Sequence, residues 1–297
     1  MNPALLLIAD SRLPAGGHAH SGGAERAIAS GAVHDVPSLD RFLRGRLHTS
    51  GTLAAALAAA AALQASSTAT RDVTHLGAGA AHATTGTATD GVHAPLDQPL
   101  APGGDTFATP ARHGDAAGRG SQAAGRGRDD GGDVSPWVRL DDEVDARTAS
   151  PAQRDASRTQ GRLLLRVARR VWPSDVLDEL ARTIPHPHHP IALGVAAHAA
   201  GATPEEAAMA AAYHAISGPA TAAVRLLGLD PVAVHALLAA FAPDLTAVTA
   251  QAHLAATNAH PAPHLAPLWE ALPAYSAPAL DLLAEQHTQA EIRLFVS

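Results

Sequence analysis

The 297-residue chain has no cysteine. That excludes disulfides, thiolate nucleophiles and cysteine-ligated zinc or iron–sulfur centres. It has no lysine either, since all 21 basic residues are arginine. A P-loop lysine, a Schiff-base lysine and a kinase-type lysine are therefore ruled out. Aromatic residues make up only 3%. Val, Ile, Tyr, Phe and Trp never gather into alternating runs, so no strand, hairpin or βαβ unit is predicted. No internal repeat is visible. The formal net charge is −7, and no arginine run with interleaved aromatics forms a basic stripe, which argues against a nucleic-acid partner. The alanine-rich run Leu53–Leu63 falls well short of the ~20 apolar residues that span a bilayer. The start, MNPALLLIADS, lacks a basic n-region and has too short an apolar run for a signal peptide. No membrane partner is predicted, and a cytoplasmic location is expected.

Hydrophobic residues make up 46% of the chain, and alanine carries most of that share. Alanine is the best helix former and costs no side-chain entropy. The predicted fold is all-α: one bundle-like domain of roughly ten helices. Short helices are expected at Leu5–Ala9 and at Ala24–Ser30, the second closed by Gly31. Ser38 reads as the N-cap of a long helix carrying Leu39, Phe42, Leu43, Leu47, Leu53 and Leu57 on one face. From Ser66 to Ser135 the composition turns to Gly, Ala, Thr, Asp and Pro with almost no large apolar residues. Such a stretch cannot bury enough surface to offset its chain entropy, so 66–135 is predicted to be a disordered insertion. Residues 1–65 and 136–297 are then two parts of one domain. Order resumes near Trp137. A helix ending at Pro173 is expected to bury Leu163, Leu164, Val167 and Val171. Further helices are expected at Asp175–Thr183 and Pro190–Ala200. The stretch TPEE places Thr203 at an N-cap, Pro204 at N1 and Glu206 in a capping box. That helix is expected to break at Gly218-Pro219. Asp230-Pro231 starts another, and 244–258, 264–271 and 278–291 are expected to be helical.

The stretch RLPAGGHAHSGGAERA, residues 12–27, admits three readings. A phosphate cradle needs a preceding strand and a nearby lysine or arginine, and the segment before it reads as helix. A metal site is poorly served by His18 and His20, two residues apart on an extended segment. The third reading is a backbone corner: Pro14 restrains φ, Gly16-Gly17 and Gly22-Gly23 allow positive φ, Ser21 caps the next helix, and Glu25 sits in its first turn. The loop PHPHHP offers His186, His188 and His189 as metal-ligand candidates, against a proline-stiffened loop with capping or exposed imidazoles. The run Asp141, Asp142, Glu143 and Asp145 reads as a solvated boundary. No G-x-S-x-G, no H-E-x-x-H and no paired carboxylates in a plausible cleft point to an enzyme.

Five segments, in order, resemble the urease accessory protein UreF family. LLLIADSRLPAGGHAHSGGAERAIASGAV is similar to its N-terminal signature at Leu13, Pro14, Gly16, Gly17, Ser21, Gly22 or Gly23, and Glu25. His18 stands where the family has an aromatic residue, and Ala24 where it has leucine. ASRTQGRLLLRV matches at Ser157, Gly161, Leu164 and Leu165. HHPIALGVAAHAAG matches at His188, Pro190 and Gly194, and AAVRLLGL at Val224, Arg225 and Leu226. HTQAEIRLFVS resembles the family's terminus at His287, Arg293, Leu294, Phe295 and Ser297. The resemblance implies an all-α protein without catalytic activity or resident cofactor. It implies binding to UreD (UreH in some organisms), a homodimer within the complex, recruitment of the GTPase UreG, and assistance to nickel delivery into apo-urease. It directs attention to the glycine corner (Pro14, Gly16, Gly17, Ser21 and Glu25), to Arg225 and to the tail (Arg293, Leu294, Phe295 and Ser297) as partner surfaces. Arg225 also reads as a snorkelling side chain or a buried ion pair. Nickel binding by the histidine loop itself, or a generic helical interaction module, are the rival expectations.

Overall fold

The computed structural model describes residues 2–10, 13, 20–80, 134–260, 262, 265–290 and 294–295, with 71–80 as backbone alone. Two compact units partition the chain: Met1–Gly77 with Val134–Ser297, and Ala78–Asp133. The first is described below. Of the insertion expected at 66–135, residues 81–133 lie outside the described ones.

The described residues form helices and no strands: α1 (Ala4–Ala9), α2 (Ala24–Ala29), α3 (Val36–Arg46), α4 (Thr52–Ala80), α5 (Pro136–Arg147), α6 (Pro151–Val171), α7 (Asp175–Thr183), α8 (His189–Ala199), α9 (Pro204–Leu227), α10 (Pro231–Ala240), α11 (Ala242–Ala259) and α12 (Pro278–Thr288). A π-helical turn, Leu47–Gly51, joins α3 to α4 without a break. The expected all-α class holds.

Alanine explains how the helices meet. Ala55 through Ala62 are all buried, so α4 is apolar around its whole circumference and sits inside the protein. Methyl side chains let neighbouring helices come close. At Gly194 of α8 the approach is closer still: an added Cβ would collide with the Ala58 carbonyl and the Ala61 methyl of α4. α9 is the second axis, touching α1, α2, α3, α8, α10 and α11, while α6 lies on α8 and α12. Trp137, Trp269 and Phe241 are the largest fully buried side chains. Val36–Thr70 is one continuous helix long and apolar enough, with mean hydropathy 1.3, to cross a membrane by length and composition, but 78% of that window is buried inside the protein. α10 and α11 meet the same test only when counted together across a 46° bend. The apolar stretch is therefore longer than Leu53–Leu63, and the core accounts for its character.

Several boundaries differ from expectation. α4 continues past Ser66 to Ala80. Its polar residues are accommodated: the Ser66 and Ser67 hydroxyls donate to the carbonyls of Ala62 and Leu63, and also meet the imidazoles of His198 and His260 at 3.2 and 3.3 Å. Asp35, not Ser38, caps α3. Its carboxylate accepts from the Ser38 amide, and Ser38 completes the capping box from N3. The buried stripe of α6 is Gly161, Leu164, Leu165 and Ala168, with Val171 exposed. Of the described residues in 264–271, only Trp269–Ala271 forms a turn of 3-10 helix.

The largest correction is α9. It does not break at Gly218-Pro219 but runs on to Leu227, where Gly228 closes it with φ 65°. A proline inside a helix leaves the carbonyl four residues earlier without its donor. Here that carbonyl belongs to Ala215, and the Arg46 Nε donates to it at 2.8 Å. A side chain from α3 thus fills the gap in the ladder of α9.

Candidate partner-binding site

The corner and the tail, 270 residues apart in sequence, come together at Glu25. One Glu25 oxygen accepts from the Leu294 amide at 2.8 Å, and the other from the Phe295 amide at 3.2 Å. His287 on α12 sits beside them, almost fully buried. Its Nε2 donates to the Phe295 carbonyl at 3.1 Å, and its Nδ1 lies 3.7 Å from Glu25. Gly23 takes φ 88° at the N-cap of α2, aiming the first turn so that Glu25 faces the tail. The Leu294 side chain is left 73% exposed. Ser21 is fully buried, so it is not surface, and α2 has no side-chain cap. Pro14, Gly16, Gly17, Arg293 and Ser297 lie outside the described residues. Arg225 is exposed in the last turn of α9 and makes no ion pair among the described residues, which removes the buried-pair reading.

The histidine loop divides rather than converges. His186 is exposed, and its carbonyl accepts from Arg158 at 2.9 Å. His188 turns inward, with no exposed surface, and its Nε2 meets Asp145 at 2.9 Å. The ring of His189 instead stands 6.0 Å from His214, centroid to centroid. Burial pushes the His189 imidazole down to about 3, and the neighbouring His214 and His20 add to that shift. The three histidines do not share one metal centre, because successive residues at a helix start point in different directions.

Asp141 and Asp145 take the place that His186 and His189 were expected to hold. They and His188 bring three possible ligand atoms within 4.8 Å of one another. A cation already lies between them. Arg158 donates to Asp141 at 2.8 Å and to Asp145 at 2.6 Å. Asp141 also accepts from the His188 amide at 3.0 Å. Burial pushes the Asp145 carboxyl up, but the bonds from Arg158 and His188 outweigh it and hold it below its usual value. Burial lowers the His188 imidazole, and Arg158 lowers it further against the pull of the two carboxylates, so the ring is neutral at pH 7. Asp141 and Asp145 are therefore not a solvated boundary, although Asp142 between them is exposed. Asp141 and Asp145 lie one turn apart on α5 and clamp the loop against α6. The fit is completed by Gly161, where a Cβ would collide with the Pro187 carbonyl and the His188 backbone. No local signal reveals this clamp, since its members are spread over 141–188.

Comparison with known proteins identifies the family. The UreF family profile matches residues 116–242. The chain is 37% identical over 293 residues to the urease accessory protein UreF of Mycolicibacterium vanbaalenii, covering 99% of this chain and 97% of that one. It is 35% identical over 296 residues to UreF of a Mycobacterium species and 34% identical over 293 residues to that of Mycobacterium marinum, with the same coverage in each case. The chain belongs to the urease accessory protein UreF family.

Proposed function

We propose that this protein is a non-catalytic scaffold in nickel-dependent urease maturation. It binds UreD (or UreH), pairs with a second copy of itself within that complex, recruits UreG, and presents the assembly to apo-urease. Nickel is cargo of the assembled complex in this reading, and the protein works in the cytoplasm without a resident cofactor.

The observation that carries the reading is the Glu25 junction. A terminal segment is held by a glutamate on α2 through two backbone amides, yet its Leu294 side chain is offered to solvent. A segment that is fastened by its backbone while exposing a large apolar side chain is arranged for contact with another protein. Arg225, exposed and unpaired among the described residues, supports a second contact, since arginine is favoured at interface hot spots. The clamp at Arg158 has its charges satisfied internally, which favours a structural role over a nickel site there.

The test is co-purification of tagged protein with the UreD and UreG homologues of its own organism, sized by light scattering. A stoichiometric complex that recruits UreG only when UreD is present is the expected result. A folded, helical protein that associates with neither homologue would overturn the reading. Equilibrium dialysis against nickel separates the scaffold from a direct nickel chaperone, with no tight site expected on the isolated chain.

A further inference from the structure

Among the described residues, Arg46 is a cation without a counter-charge. Its Nε and Nη1 donate to two backbone carbonyls, Ala215 and Gly22, each at 2.8 Å. It makes no ion pair among the described residues, in contrast to Arg44, which reaches Asp40 and Asp244. Desolvation pulls its pKa down to about 10, so it still carries its charge at neutral pH. A buried charge of this kind is costly unless something compensates it.

Arg46 also lines a cleft of about 430 Å³. That volume lies within the usual range of small-molecule sites. Ser50, Ser157, Gln160, His189 and His214 share the wall with it. The cleft's acidic residue, Asp281, accepts from Gln153 at 3.0 Å. Gly22 accepts from the guanidinium through its carbonyl and takes φ +57°, where a side chain is strained, and an added Cβ would press at 3.0 Å on the Arg46 Cζ and Nη2. The glycine of the N-terminal signature thus has a physical reason, and the reason is Arg46.

We infer that this cleft receives a carboxylate or another small oxyanion, with Arg46 supplying the charge and the Ser157 and Gln160 side chains the neutral hydrogen bonds, while the Ser50 hydroxyl donates to the Arg46 carbonyl. The two carbonyls take up Nε and one terminal nitrogen. They fix the plane of the guanidinium and leave the other terminal nitrogen for the ligand. His189, neutral while the cleft lacks an anion, can present its one N–H to it, whereas the His214 ring is engaged by the Ile8 backbone. The inference is independent of the scaffold reading, because it concerns binding by the isolated chain.

Isothermal titration of the full chain with sodium acetate and with sodium sulfate, against chloride at the same ionic strength, tests it. Saturable heat with a dissociation constant of the order of millimolar is expected for at least one anion. Arg46→Gln should weaken it at least ~10-fold. Because Arg46 also serves α9, that variant may not be used alone: Ser50→Leu narrows the cleft without touching either carbonyl bond and should weaken binding as well. No saturable heat in the unaltered protein, or the same affinity in the variants, would overturn the inference. A second arm identifies the source of the anion. If the carboxylate is an Asp or Glu side chain of a protein partner, acetate competes with UreD or UreG for the chain. If it is a free anion, acetate still binds and complex formation is unchanged.

Discussion

Arg158 and Arg46 both tie a helix to a distant piece of backbone, and they are compensated in opposite ways. Arg158 faces two carboxylates and one carbonyl. Arg46 has carbonyls only. The first arrangement is complete: charge is neutralised where it is desolvated, and the histidine loop is held to α5 and α6. The second closes the gap that Pro219 leaves in α9 but keeps a net positive charge beside open space. Two arginines that each bridge a helix to distant backbone therefore do different work. A closed ion-pair network is architecture, whereas an uncompensated cation on a cleft wall has capacity left for a ligand.

The strongest way to break this contrast is to make the same change at both arginines. Arg158→Gln strands Asp141 and Asp145 together without their cation, and we expect a loss of roughly 3 kcal/mol, read from the urea midpoint at constant slope. Gly161→Ala attacks the same clamp by volume. The methyl would enter the Pro187–His188 backbone, so a loss of about 2–3 kcal/mol is expected in the same assay.

Acid sharpens the comparison. His189 has a folded pKa of about 3, below its unfolded value, so the unfolded chain binds more protons between roughly pH 6.5 and 3. Stability contributed by the neutral ring is present above that window and is lost as pH falls through it. His188 shifts in the same direction, and the lowered Asp145 also loses its contribution in acid. Chemical denaturation at pH 5 should give a stability lower than at pH 7 by about 2 kcal/mol from His189 alone. Restoring part of that loss with His189→Phe would assign it. The smallest effect is expected at Arg46→Gln, about 1 kcal/mol, because the lost carbonyl bonds are offset by removal of a desolvated charge. A cost at Arg46 equal to that at Arg158 would erase the distinction between them.

What was legible in the sequence was local. The capping box of Thr203 and Glu206 and the Asp230 cap use residues within three positions of one another, and both stand as expected. Asp175–Thr183 begins and ends where its own sequence dictates. What failed depended on distant partners. The continuation of α9 through Pro219 needs a donor from Arg46, far earlier in the chain. The acidic run on α5 looks solvated until Arg158 and His188 are placed over it. The serines and threonines at 66–70 read as coil, although Ser66, Ser67 and Thr70 each bond the carbonyl one turn back in α4. The Glu25 junction was legible in its parts, through the signature and the tail, but nothing local shows that a glutamate at 25 holds the amides of 294 and 295.

The most direct measurement is the tail itself. Leu294→Asp changes an exposed side chain and leaves the amide that Glu25 holds. It should therefore keep the helical circular dichroism and thermal midpoint of the unaltered protein. Co-purified with the UreD homologue and sized by light scattering, the variant should run as free protein where the unaltered chain forms a stoichiometric complex. An intact complex with Leu294→Asp, at unchanged affinity, would contradict the assignment of the corner and tail as the partner surface.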